Sequence, residues 1–182
     1  MSELNSLYVR IKTKKETLER FFQDKPVIPE IDQDWTSWWD SRDMYGKSPL
    51  TKIPFYFKQE TNRAIFDSFK LDPHPDQGKE DQEGWGFTMV VFSENYEESL
   101  PMLAWLKSIA PYLEAGDEGV AILYDFFWGG GGVMAHLVFA GQQASFKLTE
   151  DISEIEPKVL AEANNALQNA MDAIEAQSGD VD

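Results

Sequence analysis

The chain has 182 residues, the length of a single domain, and its 32 Asp and Glu residues outnumber its 16 Lys and Arg residues. The formal net charge of −16 argues against a nucleic-acid ligand, because a phosphate backbone requires a basic surface. Hydrophobic residues make up 42% and aromatic residues 13%, which excludes the composition of a disordered chain. The chain has no cysteine, so a disulfide framework and a thiolate nucleophile are also excluded.

The first regular elements are predicted in the N-terminal segment. Residues 7–12 alternate apolar and polar side chains, which predicts a strand. Thr13 and Glu16 have the spacing of a capping box, and an apolar stripe then predicts a short helix that ends near Asp24. The N-terminal residues lack the basic and apolar regions of a signal peptide, and no long apolar run follows. We therefore expect a soluble cytoplasmic protein without a membrane partner.

Three tryptophans follow in one short segment. Trp35, Trp38 and Trp39 have the spacing of one helical face, with Asp34 as the predicted cap. One interpretation places the indoles on the core. The other makes them a partner-binding surface, since tryptophan is enriched at binding hot spots. The acidic neighbours would suit a cationic partner, and the predicted surface therefore includes Asp40 and Asp43.

The middle of the chain is less regular. Residues 53–58 predict a strand, and residues 64–71 fit either a helix or a strand, of which we favour the strand. Residues 72–84 predict a polar loop. Its carboxylates complete the predicted partner-binding surface, namely Asp76, Glu80, Asp81 and Glu83.

The second half of the chain carries clearer patterns. Residues 85–93 predict a buried strand, and a helix follows with Ser99 as its N-cap and Pro101 in its first turn. The spacing of apolar residues over 157–177 predicts a closing helix that docks on the sheet. We predict one α+β domain over residues 1–176, with an antiparallel or mixed sheet of about five to seven strands, about three helices gathered on one face, and a frayed acidic tail over 177–182.

A β-hairpin over residues 120–140 is the centre of the predicted sheet, because two apolar runs flank four glycines. A turn with Gly130 and Gly131 at its tip would place Asp125 opposite His136. This pair has two interpretations. It either satisfies a partly buried carboxylate and raises the pKa of the imidazole, or it forms a catalytic base and its orienting group.

The inventory for catalysis is otherwise small. No serine lies in a glycine-flanked elbow, and the glycine run lacks the Lys and Ser or Thr of a phosphate-binding loop. We predict no cofactor and no metal, and Asp125 and His136 are the only catalytic candidates.

Two classes of function remain. The preferred one is an acidic, non-enzymatic domain that binds a basic protein, a profile similar in composition to that of bacterial immunity proteins and other inhibitors. The alternative is an enzyme or small-ligand binder with a site at the hairpin, formed by Asp125, His136, Tyr124 and Trp128. A structural subunit that self-associates through its last helix is a third possibility.

Overall fold

A computed structural model of the protein describes residues 4–43, 47–54, 61–69, 79–81, 84–93 and 96–179. The strands are β1 (Asn5–Lys12), β2 (Lys79–Asp81), β3 (Gly84–Ser93), β4 (Glu118–Tyr124), β5 (Val133–Ala140) and β6 (Gln143–Lys147). The α-helices are α1 (Lys15–Gln23), α2 (Gln33–Ser41), α3 (Asn62–Phe69), α4 (Tyr96–Lys107) and α5 (Pro157–Gly179). Short 3₁₀ turns occupy Ala110–Tyr112 and Ile152–Glu154.

The strands form one sheet in the order β2-β3-β1-β4-β5-β6. Every pair of neighbouring strands is antiparallel. The predicted α+β class is confirmed, and the described residues contain more helices than the three expected. The additional ones are the short helices α2 and α3, of nine and eight residues.

The helices cover both faces of the sheet, which corrects the expectation that they gather on one. Leu7, Val9 and Ile11 of β1 belong to a core cluster shared with α1 to α4. Tyr8, on the opposite face of the same strand, is only 7% exposed and belongs to a second cluster with α5. The alternating pattern of β1 therefore predicts one exposed face where both faces are buried. The reason is that Tyr8, on the face predicted to be exposed, has a large apolar ring that packs against α5.

Helix α5 docks on this second face, as its spacing predicts. Ala163, Leu167 and Ala170 are buried together with Tyr8 and Val90. Its apolar stripe is thus covered by the chain's own sheet. The helix continues to Gly179, beyond the predicted start of the tail at residue 177, and residues 180–182 lie outside the described residues.

Two predictions in the middle of the chain require correction. Residues 64–69 are helical and not a strand, because Ile65 and Phe66 turn their side chains into the aromatic core, where the Phe66 ring lies 5.2 Å from that of Trp85. The predicted polar loop 72–84 contains the edge strand β2. In the predicted strand 53–58, residues 53 and 54 are not in a strand, and the others lie outside the described residues.

The helix starts also differ from the capping patterns. The hydroxyl of Thr13 donates to the carboxylate of Asp117 at 2.7 Å, and α1 begins without a side-chain cap. Asp32, not Asp34, caps α2 by accepting from the backbone N–H of Trp35 at 3.0 Å. Helix α4 begins at Tyr96, so Ser99 lies inside it. Such changes of the capping residue are common, because neighbouring polar residues compete for the N–H groups that have no partner within the helix.

Candidate functional site

The hairpin exists, but its register differs from the predicted one. Strand β4 places Ile122 opposite His136, and Asp125 lies beyond the end of that strand. The predicted cross-strand contact between Asp125 and His136 is therefore wrong. The cause is the connection, which is an eight-residue loop over 125–132 and not a two-residue turn.

Asp125 organises this loop. Its carboxylate accepts from the backbone N–H of Trp128 at 3.1 Å and of Gly130 at 3.2 Å. Its carbonyl accepts from Gly131 at 3.3 Å, and Gly129 donates to the carbonyl of Phe126 at 3.2 Å. Four successive amides, from 128 to 131, thus have partners within the loop. Asp125 is 8% exposed, and each of its two carboxylate oxygens accepts a backbone N–H of the loop, so its role is structural.

The glycines are required by the same geometry. Gly129 and Gly131 have φ angles of +72° and +79°, a region that residues with a side chain rarely adopt. A Cβ atom at Gly130 would lie 2.3 Å from the Asp125 carboxylate, so a side chain there would displace the cap. The glycine run is therefore a structural consequence of the loop and has no phosphate-binding geometry.

The loop presents two aromatic side chains to solvent. Trp128 is 71% exposed and Phe127 is 39% exposed. Their rings are perpendicular, with centroids 4.8 Å apart. The other five of the six tryptophans are buried. Trp128 was predicted only as part of the alternative pocket, although a bulky indole beside four glycines is a signal of an exposed side chain at the tip of a connection.

Carboxylates surround the base of this loop. Gly132 forms an isolated bridge with Asp151, and the N–H of Val133 donates to the carbonyl of Glu150 at 3.0 Å. The side chains of Glu150, Asp151 and Glu154 are exposed. The segment 150–154 therefore adds an acidic rim to the aromatic pair.

Arg42 connects the end of α2 to the base of this loop. Its guanidinium donates to the carbonyl of Val133 at 2.9 Å and to that of Thr149 at 2.8 Å, and the side chain is 4% exposed. Asp43, the next residue, is exposed, as is Asp40. We call the exposed side chains of this end the tip surface; they are Phe127, Trp128, Asp40, Asp43, Glu150, Asp151 and Glu154.

The three tryptophans of α2 are core residues. Trp35, Trp38 and Trp39 are 3%, 0% and 4% exposed. The indole of Trp38 stacks on Phe146 at 4.6 Å and donates to the carbonyl of Met134 at 3.1 Å. Their assignment to a partner-binding surface is therefore corrected, and the core interpretation of their spacing is confirmed.

The acidic part of the predicted surface is only partly described. Asp76 and Glu83 lie outside the described residues. Glu80 and Asp81 belong to β2, whose backbone pairs with Gly84 and Trp85 of β3. The tip surface thus retains Asp40 and Asp43 from the prediction.

A second concave feature lies on the α5 side of the sheet. It is a cleft of about 630 Å³ between strands β1, β4, β5 and β6 and the start of α5. Its basic lining residues are Arg10, Lys12, Lys147 and Lys158. Its acidic ones are Asp117, Glu118, Glu154, Glu156 and Glu162.

His136 lies in this cleft and is 6% exposed. Its Nδ1 is 2.9 Å from the hydroxyl of Thr149, a contact that fixes the orientation of the ring. Burial lowers the pKa of His136 to about 4, and the charge of Lys147 acts in the same direction. The expected rise in this pKa is therefore wrong, because no carboxylate replaces the one that Asp125 was to supply.

Tyr124, the remaining member of the predicted pocket, is buried beneath α5 and donates to Asn164 at 2.7 Å. Burial raises its pKa above the ordinary value. Trp128 and Asp125 do not line the cleft around His136. The four residues of the alternative site therefore belong to three different environments.

Comparison of the chain with protein-family models, curated proteins and solved structures finds no match. Within the described ranges, no helix combines the length and apolarity needed to cross a bilayer. No three His, Asp or Glu side chains of those residues form a group suited to a metal ion.

Proposed function

We propose that the protein is a non-enzymatic binding protein, of the immunity or inhibitor type, that captures a basic protein partner through the tip surface. The observation that carries this proposal is the exposed pair Phe127 and Trp128. An indole that is 71% exposed in a protein that buries its other tryptophans is unlike an ordinary surface residue. Tryptophan is among the residues that contribute most to binding when a partner covers them.

The loop is built to hold this pair in place. The amides of residues 128–131 are bonded within the loop, with Asp125 as the acceptor for three of them. A side chain on such a loop loses little conformational freedom when a partner binds, which favours affinity. The connection to Arg42 and to segment 150–152 fixes the loop to the body of the protein.

Charge supports the basic nature of the partner. The tip surface carries exposed carboxylates at Asp40, Asp43, Glu150, Asp151 and Glu154. The whole chain, these carboxylates included, has a net charge of −16, and its field attracts a cationic protein and raises its association rate. An apolar centre with a charged rim is also the usual anatomy of a protein interface.

The test is capture of a partner by the immobilised protein from extracts of the source cell, at low and at high salt. We expect retention of a basic protein at low salt and its release at high salt, since screening weakens the attraction. Trp128→Ala should weaken the purified complex about 30-fold or more, the loss typical of a central hot spot. Charge reversal at Asp40 and Asp43 should mainly slow association.

Ile28→Ala is the matched control, because Ile28 is 73% exposed and lies outside the tip surface. It should leave the affinity unchanged. Absence of any retained basic protein at low salt, or equal retention by the wild type and Trp128→Ala, would refute the proposal. Dimerisation that Trp128→Ala abolishes would instead identify the partner as a second copy, and would also refute it.

A further inference from the structure

Arg42 is a buried cation at the base of the tip surface, and it forms no ion pair within the described part of the chain. Its side chain is 4% exposed. The acceptors of its guanidinium are uncharged groups, namely the hydroxyl of Ser41 and the backbone carbonyls of Val133 and Thr149. Its positive charge is therefore balanced only by neutral dipoles.

This arrangement is costly for the stability of the fold. Nη2 of Arg42 is buried and has no hydrogen-bond partner among the described residues. A buried charge without a counter-ion is destabilising, and an unpartnered donor adds the free energy of its lost hydration. The ammonium of Lys47 lies nearby as a second positive charge, because it donates to the backbone carbonyl of Arg42 at 2.6 Å. An apolar side chain of the same length would avoid both penalties, so stability alone does not explain an arginine here.

The hydrogen bonds of Arg42 join the three segments that form the tip surface. Its Nη1 donates to the carbonyl of Val133 at 2.9 Å and to that of Thr149 at 2.8 Å. Val133 directly follows the loop 125–132. Thr149 directly precedes the acidic segment 150–154. Arg42 itself directly follows α2, whose end carries the remaining carboxylates of the surface.

The guanidinium is itself held in one orientation by α2. Its Nε donates to the hydroxyl of Ser41 at 3.0 Å, and this hydroxyl donates to the carbonyl of Trp38 at 2.6 Å. Trp38 is fully buried in the core. A planar guanidinium suits this arrangement because its donors lie in a rigid fork, whereas the ammonium of a lysine is a single donor group on a flexible stem.

We infer that Arg42 is the positioning residue of the tip surface, which fixes the loop that carries Trp128 relative to the carboxylates of the other two segments. Because Arg42 is almost completely buried, it acts through the residues that it holds and not by contact with a partner. A surface whose parts are fixed before binding loses less conformational entropy when the partner binds. This inference rests on the proposed function, since a fixed arrangement serves the binding of a partner.

The first test needs no partner. The full-length protein is labelled with fluorotryptophan, and the fluorine NMR resonance of Trp128 is identified as the one missing from Trp128→Ala. In Arg42→Met, we expect the transverse relaxation rate of this resonance to fall about twofold or more, because the released loop moves faster. The resonance of Trp85, which is fully buried in the aromatic core, should keep its rate.

Two matched variants separate hydrogen bonding from general loosening of the fold. Arg42→Lys keeps the charge and one donor group, so its relaxation rate should lie between those of the wild type and Arg42→Met. Where Arg42→Met does not fold, the fall in Arg42→Lys alone decides the question. Lys107→Met removes a cation that pairs with Asp34 at the start of α2, at 2.5 Å, and should leave the rate of Trp128 unchanged.

Three results of this experiment would overturn the inference. An unchanged rate in the folded Arg42 variants would show that the residue does not order the loop. Equal rates in Arg42→Lys and Arg42→Met would show that packing, and not hydrogen bonding, is responsible. An equal fall in Lys107→Met would show that any loss of a cation beside α2 loosens the loop.

The second test uses the basic protein that the wild type retains from the cell extract. Arg42→Met should weaken its binding about 10-fold, chiefly through faster dissociation, although Arg42 is covered. Equal affinities of the wild type and Arg42→Met would overturn the positioning role. Retention of no basic protein by the wild type would refute the proposed function, whereas the relaxation of Trp128 would still decide whether Arg42 orders the loop.

Discussion

Trp38 and Trp128 are at opposite extremes of exposure, at 0% and 71%, although both stand in aromatic-rich stretches. Trp38 stacks on Phe146 and binds the backbone of Met134, so its whole surface is used within the fold. Trp128 touches Phe127 and otherwise faces solvent. The difference shows that the clustered tryptophans of α2 belong to the core, whereas the tryptophan beside the glycine run lies on the surface.

The largest effect is expected from Trp38→Ala. Removal of a fully buried indole should lower the free energy of unfolding by about 3 to 5 kcal/mol, through lost transfer energy and the cavity that remains. Chemical denaturation measures this change. Trp38→Phe keeps most of the packing and should cost clearly less. Equal stability of wild type and Trp38→Ala would contradict the assignment of these indoles to the core.

A second test of the buried interior uses pH. The pKa of His136 is about 4 in the folded protein and lies below the ordinary 6.5 expected after unfolding. The unfolded chain therefore binds the proton first, so stability is complete above pH 6.5 and is lost as the pH falls towards 4. The loss attributable to this residue is about 3 kcal/mol. Denaturation of the wild type and of His136→Gln across this pH range isolates the contribution of His136 to the free energy of unfolding. Identical pH dependences of the two proteins would disprove that burial lowers the pKa of His136.

Asp125→Ala should have an intermediate effect. It removes the acceptor of the Trp128 and Gly130 amides, which costs about 1 to 3 kcal/mol when such groups lose their partners. The variant keeps Trp128 but should hold it less firmly, which fluorescence anisotropy of the indole would detect. Asp125→Asn retains one acceptor oxygen, so its free energy of unfolding should lie between those of the wild type and Asp125→Ala. An unchanged anisotropy in Asp125→Ala would show that the cap does not order the loop.

Trp128→Ala should have the smallest effect on folding, within about 0.5 kcal/mol, because an exposed side chain contributes little to the core. Acrylamide quenching should show that the most accessible part of the tryptophan emission disappears in this variant. A destabilisation as large as that of Trp38→Ala would contradict the assignment of Trp128 to the surface, because it would require the indole to pack against other residues.

Much of the fold follows from local patterns. The alternation in β1 and the apolar stripes of α1 and α5 predict those elements, because a strand or helix must bury one face. Helix α3 was not predicted in this way, because its short apolar run fits both the helical and the strand period. Its identity was decided by aromatic contacts with Trp85 and Trp105, residues far away in the chain.

The candidate sites were less predictable. The hairpin was expected, but a two-residue turn was assumed where Asp125 stabilises an eight-residue loop. This single difference separates Asp125 from His136 and leaves Trp128 exposed at the tip of the loop. No periodicity encodes it, because the loop length depends on side-chain capping and on contacts with segment 150–152.

By itself, the sequence determined the secondary-structure elements with regular periods, the acidic charge, and the need for a large aromatic core. Only the tertiary structure decided which tryptophan is exposed and what surrounds His136. The physical reason is that these properties depend on contacts between distant segments. Arg42 joins the end of α2 to Val133, and Thr149 holds the ring of His136, and neither contact leaves a local pattern in the chain.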